Sequence, residues 1–383
     1  MSAPAEVTVL NLSTVAEYVL TQPTISERVG RVTDVQQSGE GKINGVFFVT
    51  GDKSSVVLKQ GLPWVRVLPD WELTAERVGR EARLLDRWSE FNPEYVPELW
   101  QYDDRAHVLA MENLSGYELL RDVLAVSAGD PGIGDAVGVM LARTAFHTSA
   151  LWLSTSELQQ AVRAGQNPEM SQLMEDVVFT MPFSDSDQNV TEPELVAHRD
   201  GLLADPEVIR AVGHLKWVFA TRQEALIHGD LHAGSLMVQG RDTRVIDAEF
   251  GRYGPLAWDL GAFWAHLKIA AEIHDTRERH EDAAATRELV VRSWCSFHTE
   301  MVHLLGAAEP RFPLSAAADW IAETRILATR FAGIEVLRRI VGVGNCEQLS
   351  ALPDEARHSV TTALIEQATR AMVDGHWPGE DSP

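Results

Sequence analysis

Three acidic residues lie in one turn-rich part of the sequence and could together serve phosphoryl chemistry. Residues 226–237 read LIHGDLHAGSLM and include Asp230, while residues 245–250 read VIDAEF and include Asp247 and Glu249. Two short apolar pieces on either side of a turn at residues 240–242 predict a hairpin. Such a hairpin would bring the three carboxylates near one another.

Converging carboxylates repel each other unless a positive charge compensates them, and a divalent cation does this well. Mg²⁺ held by one or two carboxylates and by substrate phosphates is a common arrangement. Phosphoryl transfer also needs a carboxylate that orients the attacking hydroxyl and accepts its proton. Taken singly, His228, Asp230 or Asp247 is more simply explained as stabilising a turn, but their combined spacing favours the catalytic interpretation.

A glycine-containing segment lies between two predicted strands. Residues 38–44 read SGEGKIN, in which Gly39 and Gly41 would let the backbone approach a phosphate closely. The third glycine of the GxGxxG pattern is replaced by Asn44, so a plain glycine hairpin is the competing interpretation.

A lysine on an otherwise apolar strand gives the glycine segment more weight. Lys59 lies in VVLKQ, where it could reach phosphate oxygens, although a solvated edge-strand lysine would show the same pattern. Glu81 follows 22 positions later on a predicted helix and would hold the ammonium group in an ion pair. Glu76 competes for this role, and either glutamate could instead be a solvated helix charge.

The elements that must position these residues change in character along the chain. Apolar runs predict strands at 31–37, 45–49, 55–59 and 108–111, and a helix at 74–88 with Thr74 as a fair N-cap. Beyond residue 115 the pattern is mostly helical, apart from the turn-rich stretch 227–255. A small β-rich part, residues 1–115, therefore precedes a larger α-rich part, residues 116–383, which is an α+β organisation.

The overall charge limits what this chain can bind. Its 383 residues are 45% hydrophobic, and 33 Lys and Arg against 56 Asp and Glu give a formal net charge of −23. So acidic a surface repels nucleic acid and anionic membranes, and we expect neither as a partner. An anionic ligand then needs a metal ion or a local basic site. Arg338 and Arg339 on a predicted helix could supply one, although ordinary salt bridges explain the pair more simply.

The sequence also carries indications of cellular location. Its two cysteines, Cys295 and Cys346, form no CxxC pair and are expected to be free thiols. We find no basic segment followed by an apolar run near the N-terminus, and no apolar stretch long enough to span a bilayer. A cytoplasmic location is therefore the expectation.

Together these motifs resemble the small-molecule kinases built on the protein-kinase-like fold, which include aminoglycoside phosphotransferases and choline kinases. Several segments resemble the S-methyl-5-thioribose kinase family more narrowly. These are HGDLHAGS at 228–235, DAE at 247–249, KQGLPWVRVL at 59–68 with WELT at 71–74, and FAGIEVLRRIVG at 331–342. The resemblance runs from about residue 10 to residue 370 and is weakest between 154 and 210. The D-x-E turn with the paired arginines is more specific than HGD alone.

The resemblance implies a bilobal kinase-like fold, usually as a homodimer, that uses ATP and Mg²⁺ to phosphorylate the 1-hydroxyl of S-methyl-5-thioribose in methionine salvage. It implies that Asp230 is the catalytic base and a substrate ligand, and that Arg338 and Arg339 contact the substrate. His232 lies close enough to Asp230 in the sequence to touch the substrate as well. Trp71, on a loop beside the lysine strand, could cover an apolar methylthio group, although simple packing explains this tryptophan equally well. The resemblance implies that the nucleotide is bound by Gly39, Gly41, Asn44, Lys59 with its partner Glu81, and the hinge residues Glu112, Asn113 and Leu114. It implies that Mg²⁺ is held by Asp247 and Glu249.

One position departs from the wider kinase pattern. Protein kinases place a metal-binding Asn five residues after the catalytic Asp, where this chain has Ser235, a weaker ligand. Two alternatives stay open. One is a kinase of the same fold with another acceptor, such as 5-deoxyribose, an amino alcohol or an aminoglycoside, and the paired arginines favour the narrower assignment over it. The other is a catalytically dead nucleotide-binding protein, against which the intact Lys59, Asp230 and Asp247 argue.

Overall fold

The chain forms two compact units. The structure, a computed structural model, describes residues 8–39, 43–66, 68–307, 312, 314–343 and 346–378, without the side chains of residues 65, 68–71 and 314. The first unit comprises Met1–Tyr117 and Arg244–Phe250, and the second comprises Glu118–Thr243 and Gly251–Pro383. A short segment from the second half of the sequence, which contains Asp247 and Glu249, therefore belongs to the first unit. The functional division after residue 115 stays a prediction.

The first unit is built on a five-stranded antiparallel sheet in the order β1-β2-β3-β7-β6. A separate two-stranded sheet pairs β4 with β5. In chain order the elements are α1 (Val15–Thr21), α2 (Pro23–Val29), β1 (Val32–Gln37), β2 (Gly45–Gly51), β3 (Ser55–Gln60), β4 (Trp64–Val65), β5 (Leu68–Glu72), α3 (Arg77–Ser89), β6 (Leu99–Asp103), β7 (Val108–Glu112) and a 3₁₀ turn at Ala248–Phe250.

The four predicted strands are confirmed, each to within two residues. Strand β3 pairs with β2 on one side and with β7 on the other, so it is a central strand. Lys59 on β3 is only 3% exposed. The explanation of Lys59 as a solvated edge-strand lysine is therefore wrong.

The apolar core of the first unit lies on one face of this sheet. Alternate side chains of β2 and β3, such as Phe47, Val49, Val56 and Leu58, are fully buried against α1 and α2. Because side chains alternate between the faces of a strand, Lys59 points to the opposite face from Leu58. Helix α3, which packs against β6 and β7, carries the partner of Lys59.

Helix α3 begins three residues later than the sequence pattern predicts. Its N-cap residue is Glu76, which has helical backbone angles and makes no capping hydrogen bond through its side chain. The expectation of Thr74 as N-cap is therefore wrong. The carbonyl oxygen of Thr74 instead accepts a hydrogen bond from the Arg77 guanidinium at 2.7 Å.

The second unit is mostly helical. Its two small sheets follow the orders β11-β10-β8 and β12-β9, and the first contains the predicted hairpin. The elements are β8 (Glu118–Leu119), α4 (Leu120–Val126), α5 (Gly132–Thr148), α6 (Thr155–Ala164), α7 (Pro168–Glu175), α8 (Val196–Ala204), α9 (Pro206–Thr221), β9 (Ala225–Ile227), β10 (Leu236–Gln239), β11 (Asp242–Val245, ending in the first unit), β12 (Arg252–Gly254), α10 (Ala257–Thr276), α11 (His280–Ala307), α12 (Leu314–Val341), α13 (Glu347–Ser350) and α14 (Asp354–Asp374).

Helix α12 is packed tightly between α10 and α14. A Cβ atom added at Gly261 of α10 would lie 2.6 Å from the Ala328 carbonyl oxygen, and one at Gly333 of α12 would lie 2.5 Å from the Ala368 carbonyl oxygen. Glycine permits these close approaches because it has no side chain. This packing holds the end of α12, where Arg338 and Arg339 lie.

The distribution of elements confirms the α+β class. An antiparallel sheet dominates the first unit, and helices dominate the second. None of the helices in the described part of the chain combines the length and the apolar character that a membrane crossing requires.

Candidate active site

A buried ion-pair cluster in the first unit surrounds Lys59. Its Nζ lies 2.7 Å from Glu81 Oε2 and 2.5 Å from Asp247 Oδ1. The side chains of Lys59 and Glu81 are 4% and 1% exposed, whereas that of Asp247 is 52% exposed. The predicted ion pair of Lys59 with Glu81 is present, and Glu76 is exposed and is not the partner.

The charges of this cluster depend on one another. Burial by itself lowers the pKa of Lys59, but Asp247, Glu81 and Glu249 outweigh it, and the pKa lies above its ordinary value. Burial raises the pKa of Glu81, although Lys59 opposes this. Lys59 is therefore a fixed positive charge held between a buried carboxylate and a solvent-accessible one.

Asp247 has an unusual backbone conformation. Its φ angle is +62°, in the left-handed region that few residues other than glycine adopt. Aspartate tolerates this conformation better than most side chains do. Such conformations cluster at functional sites, where the surrounding structure holds them. The turn after Asp247 continues into the 3₁₀ turn that carries Glu249.

Glu249 is oriented by two side chains of the first unit. Asn44 Nδ2 donates a hydrogen bond to Glu249 Oε2 at 2.8 Å, and Arg77 Nε lies 3.2 Å from the same oxygen. Asn44 is 3% exposed and Arg77 is fully buried. The residue that replaces the third glycine of the predicted phosphate loop thus contacts the D-x-E turn.

Arg77 also joins two loops, a role that the sequence pattern did not reveal. Its guanidinium donates to the carbonyl oxygens of Leu62 at 2.7 Å and Ile43 at 3.0 Å, as well as to that of Thr74. Arg66 donates to the carbonyl oxygens of Ser38 at 2.9 Å and Gly39 at 3.2 Å. The described ends of the glycine segment, residues 38–39 and 43, are therefore held by arginines from the segment that follows β3 and from the start of α3. An arginine at a mostly apolar helix position was the only sequence signal for Arg77.

The remaining nucleotide-binding predictions have different outcomes. Asn113 Nδ2 donates to Ser55 Oγ at 3.1 Å, and the Glu112 N–H donates to the Glu98 carbonyl oxygen at 2.8 Å. The Leu114 carbonyl oxygen accepts from the Tyr117 N–H at 3.1 Å. Backbone groups of the predicted hinge thus already have partners, and the hinge role stays a prediction. Gly41 and the side chain of Trp71 lie outside the described residues.

In the second unit, two side chains at the start of α10 form hydrogen bonds with the backbone of the loop that follows β9. Asp259 accepts hydrogen bonds from the His228 N–H at 2.7 Å and from the Gly229 N–H at 3.0 Å. Trp258 Nε1 donates to the Gly229 carbonyl oxygen at 2.7 Å. Gly229 has φ +84°, which glycine adopts without strain. These contacts fix the backbone that presents Asp230.

Two basic side chains face the carboxylate of Asp230. His232 Nε2 lies 3.5 Å from Oδ2, and Arg338 Nη2 lies 3.8 Å from Oδ1. Burial opposes the ionisation of Asp230, but His232, Arg338 and Arg339 outweigh it and hold the pKa of this carboxyl well below its ordinary value. Asp230 is therefore ionised and accepts hydrogen bonds. The Ser235 hydroxyl lies within hydrogen-bond distance of the Asp230 and His232 carbonyl oxygens, so it stabilises the backbone of this loop.

The two arginines share one buried carboxylate, Glu335. Glu335 Oε2 accepts from Arg338 Nε at 2.5 Å, and Oε1 accepts from Arg338 Nη2 at 2.7 Å and from Arg339 Nε at 2.9 Å. Glu335 is fully buried, and Arg338 is 6% exposed. Both arginines thus make salt bridges, as the simpler explanation predicted, but with a buried carboxylate and not at the surface. The (i, i+3) and (i, i+4) spacing of the two arginines from Glu335 on a predicted helix indicates such ion pairs, and this signal was missed.

The acidic residues of the first unit suit Mg²⁺. This ion prefers hard oxygen ligands, which Asp247 and Glu249 supply. The exposed side chain of Asp247 is accessible, and Glu249 has the hydrogen-bonded support that metal-ligating carboxylates usually have. The gathering of Asp230 with Asp247 and Glu249 stays a prediction.

The sequence profile of one family covers most of this chain. The profile described as the phosphotransferase enzyme family matches residues 34–294. That match spans the glycine segment, Lys59, the loop of Asp230 and the D-x-E turn. The class of protein is therefore a phosphotransferase.

Curated relatives narrow this class. A methylthioribose kinase of Bacillus pumilus (strain SAFR-032) is 36% identical over 345 residues, which cover 88% of this chain and 84% of that protein. One of Geobacillus thermodenitrificans (strain NG80-2) is 32% identical, with 89% and 88% covered, and methylthioribose kinase 1 of Oryza sativa subsp. japonica is 30% identical, with 96% and 91% covered. The chain belongs to the methylthioribose kinase family.

Proposed function

We propose that this protein transfers the terminal phosphoryl group of ATP to the 1-hydroxyl of S-methyl-5-thioribose, a step of methionine salvage. The observation that carries the proposal is the arrangement of Asp230 with His232 and Arg338 in the second unit. An ionised carboxylate beside the fixed positive charge of Arg338 and the ring N–H of His232 suits a site that must orient a hydroxyl and accept an anionic phosphoryl group. The sequence relatives support the choice of acceptor.

In this proposal Asp230 accepts a hydrogen bond from the attacking hydroxyl and takes its proton as the new P–O bond forms, while the bond from the γ-phosphorus to its bridging oxygen breaks and ADP leaves. Its low pKa makes it a weak base, so orientation is its main contribution. That is sufficient because the transition state of phosphoryl transfer is largely dissociative. Arg338 and Arg339 would contact the sugar or the phosphoryl group and neutralise charge as the phosphoryl group moves.

The first unit supplies the groups for the nucleotide. Lys59, held by Glu81, would contact ATP phosphates, and the glycine segment would approach them with its backbone. Asp247 and Glu249 would hold Mg²⁺, which neutralises the negative charge on the phosphates. Glu112, Asn113 and Leu114 would border the adenine, and Trp71 and His232 would contact the sugar. We further propose a cytoplasmic homodimer that binds neither nucleic acid nor membrane, and light scattering of the purified protein tests the dimer.

A panel of acceptors with MgATP tests the proposed reaction. We expect methylthioribose to be phosphorylated at least about a hundredfold more efficiently than 5-deoxyribose, an amino alcohol or an aminoglycoside, since buried groups left without a partner discriminate strongly. Product NMR identifies the phosphorylated hydroxyl. A preference for another acceptor would replace the proposed substrate, and no consumption of any acceptor would favour a dead nucleotide-binding protein.

The variant Asp230→Asn separates catalysis from binding. It keeps the shape of the side chain but removes the charge and the proton acceptor. We expect turnover to fall by about a thousandfold, while calorimetric binding of ADP stays within about twofold, since the nucleotide groups lie in the first unit. Full turnover by this variant would remove Asp230 as the base.

A further inference from the structure

A second histidine, His266, lies beside the loop that carries Asp230 and has no role in the proposed reaction. It is in the middle of α10 and is 7% exposed. Its ring is stacked on that of His232, with 4.9 Å between the ring centroids and 17° between the planes. Among the described residues its Nε2 is buried and has no hydrogen-bond partner.

The hydrogen bonds of His232 determine which of its ring nitrogens carries the proton. The Gly234 N–H donates to His232 Nδ1 at 2.8 Å, so Nδ1 is the acceptor nitrogen. In a neutral imidazole the other nitrogen then carries the hydrogen. Nε2 is that nitrogen, and it lies 3.5 Å from Asp230 Oδ2. His232 is thus prepared to donate to the proposed catalytic carboxylate.

A third contact fixes the plane of the His232 ring. Hydrogen bonds to the two ring nitrogens act at the edge of an imidazole and leave its faces open to other contacts. The stacked ring of His266 covers one of these faces and restricts tilting of the His232 ring from that side. Burial, together with Arg339, His232 and Arg338, lowers the pKa of His266 well below its ordinary value, so it stacks as a neutral ring. A neutral ring adds no further positive charge beside the two arginines.

We propose that His266 is a positioning residue for Asp230, which keeps the Nε2–H of His232 directed at Oδ2 while Arg338 faces Oδ1. The carboxylate is then held by one basic group on each oxygen, and its orientation toward the acceptor hydroxyl is restricted. Contacts of this kind are often long in an empty site and tighten when substrate binds. This inference rests on the proposed function, because it concerns Asp230 as the base.

Substitution of His266 by leucine and by phenylalanine tests the stacking. His266→Leu removes the flat ring, and we expect kcat to fall about tenfold, the effect of one hydrogen bond of average strength. The KM for ATP should stay within about twofold, because no nucleotide group of the first unit changes. His266→Phe keeps a ring that can stack, and we expect it to recover kcat to within about threefold of the wild type.

His274→Leu is the matched control. His274 is also buried on α10 and also has a ring nitrogen without a hydrogen-bond partner among the described residues. Its Nε2 lies 3.2 Å from the Ser127 carbonyl oxygen. The His274→Leu variant should keep the wild-type kcat even if its Tm is lower than that of the wild type. An equal loss of kcat in His274→Leu and His266→Leu would mean a general weakening of α10 and would overturn the proposal.

Imidazole ¹⁵N NMR gives a readout that does not depend on turnover. In the wild type and in His266→Phe we expect His232 to be the Nε2–H tautomer. In His266→Leu the ring can tilt away from the Gly234 N–H, which weakens the hydrogen bond that fixes the tautomer, so we expect a mixture of tautomers. Wild-type kcat together with an unchanged His232 tautomer in His266→Leu would refute the inference. If the wild type does not phosphorylate methylthioribose, the proposed function fails. The comparison of the His232 tautomer in the wild type and in His266→Leu would still test whether His266 positions the His232 ring.

His232→Phe covers the case in which His266→Leu does not fold. It keeps a ring against His266 and removes the Nε2–H group, so we expect the same tenfold loss of kcat. Retention of wild-type kcat by His232→Phe would refute the proposal independently.

Discussion

Replacement of Glu335 by glutamine should affect both the stability of the second unit and the acceptor site. The carboxylate of Glu335 accepts three hydrogen bonds from two guanidinium groups, and its side chain is 1% exposed. Glutamine has nearly the same shape but no charge, and its amide nitrogen would face a guanidinium. The nearest other carboxylate described for Arg338 is that of Asp230, at 3.8 Å.

The magnitude follows from the burial of these groups. Removing one partner of a buried ion pair lowers the free energy of unfolding by about 3–5 kcal/mol. We expect about 3 kcal/mol here, because the amide oxygen of glutamine can still accept a hydrogen bond from a guanidinium. For a unit of this size, that corresponds to a fall in Tm of about 6–10 °C. Without Glu335, Arg338 would turn toward Asp230, which competes with the acceptor. We therefore expect the KM for methylthioribose to rise about 10–100-fold, the effect of one charged hydrogen bond, and kcat to fall about tenfold.

The assay combines initial rates, with each substrate varied in turn, and thermal unfolding. Glu323→Gln is the matched control, because Glu323 lies on the same helix and pairs with Arg222 at 2.6 Å, but its side chain is 51% exposed. A surface pair of this kind contributes less than about 1 kcal/mol, so Glu323→Gln should behave as the wild type. A folded Glu335→Gln variant with wild-type Tm and a methylthioribose KM within twofold of the wild type would refute the reasoning.

Three further predictions concern other charged groups. Lys59→Met leaves the carboxylate of its buried ion pair without a cation and should lower kcat/KM for ATP at least about a hundredfold; a loss below tenfold in steady-state rates would contradict this role. Arg77→Gln should raise the KM for ATP about tenfold, whereas Arg83→Gln, an exposed arginine on the same helix, should not; equal KM values would exclude Arg77 as the link between the loops. Burial and Arg287 lower the pKa of Lys268 to about 7. Above pH 7 the unfolded chain then binds more protons at this lysine than the folded one, so the free energy of unfolding rises with pH up to about pH 10, by at most about 1.4 kcal/mol per unit. Urea unfolding at pH 7, 8 and 9 should show this contribution in the wild type and in the exposed control Lys53→Met but not in Lys268→Met, and parallel curves for all three proteins would contradict it.

Local patterns predicted much of the fold. The strands that carry or flank Lys59, the hairpin after residue 235 and the α+β class follow from short apolar runs and turn residues, whose preferences depend on near neighbours. The expected ion pair of Lys59 with Glu81 is present, although the sequence left Glu76 as a competing partner. The choice between Glu76 and Glu81 needed the position of α3, because only the buried face of that helix reaches β3.

Other features depend on contacts between distant parts of the chain. Asn44 and Glu249 are 205 positions apart, and no local pattern indicates that they meet. The same holds for Arg77, whose partners lie on two loops and a turn, and for the stacking of His266 on His232. The left-handed conformation of Asp247 is likewise held by the surrounding structure.

The sequence by itself determined which side chains are available for phosphoryl chemistry and on which strands, helices and turns they lie. The tertiary structure alone decided which charges from distant parts of the chain are buried together, as in the ion pair of Arg77 with Glu249. The physical reason is that the free energy of a buried charge depends on its distance to every neighbouring charge and on its exposure to water. Both quantities are set by packing between elements that are far apart in the chain.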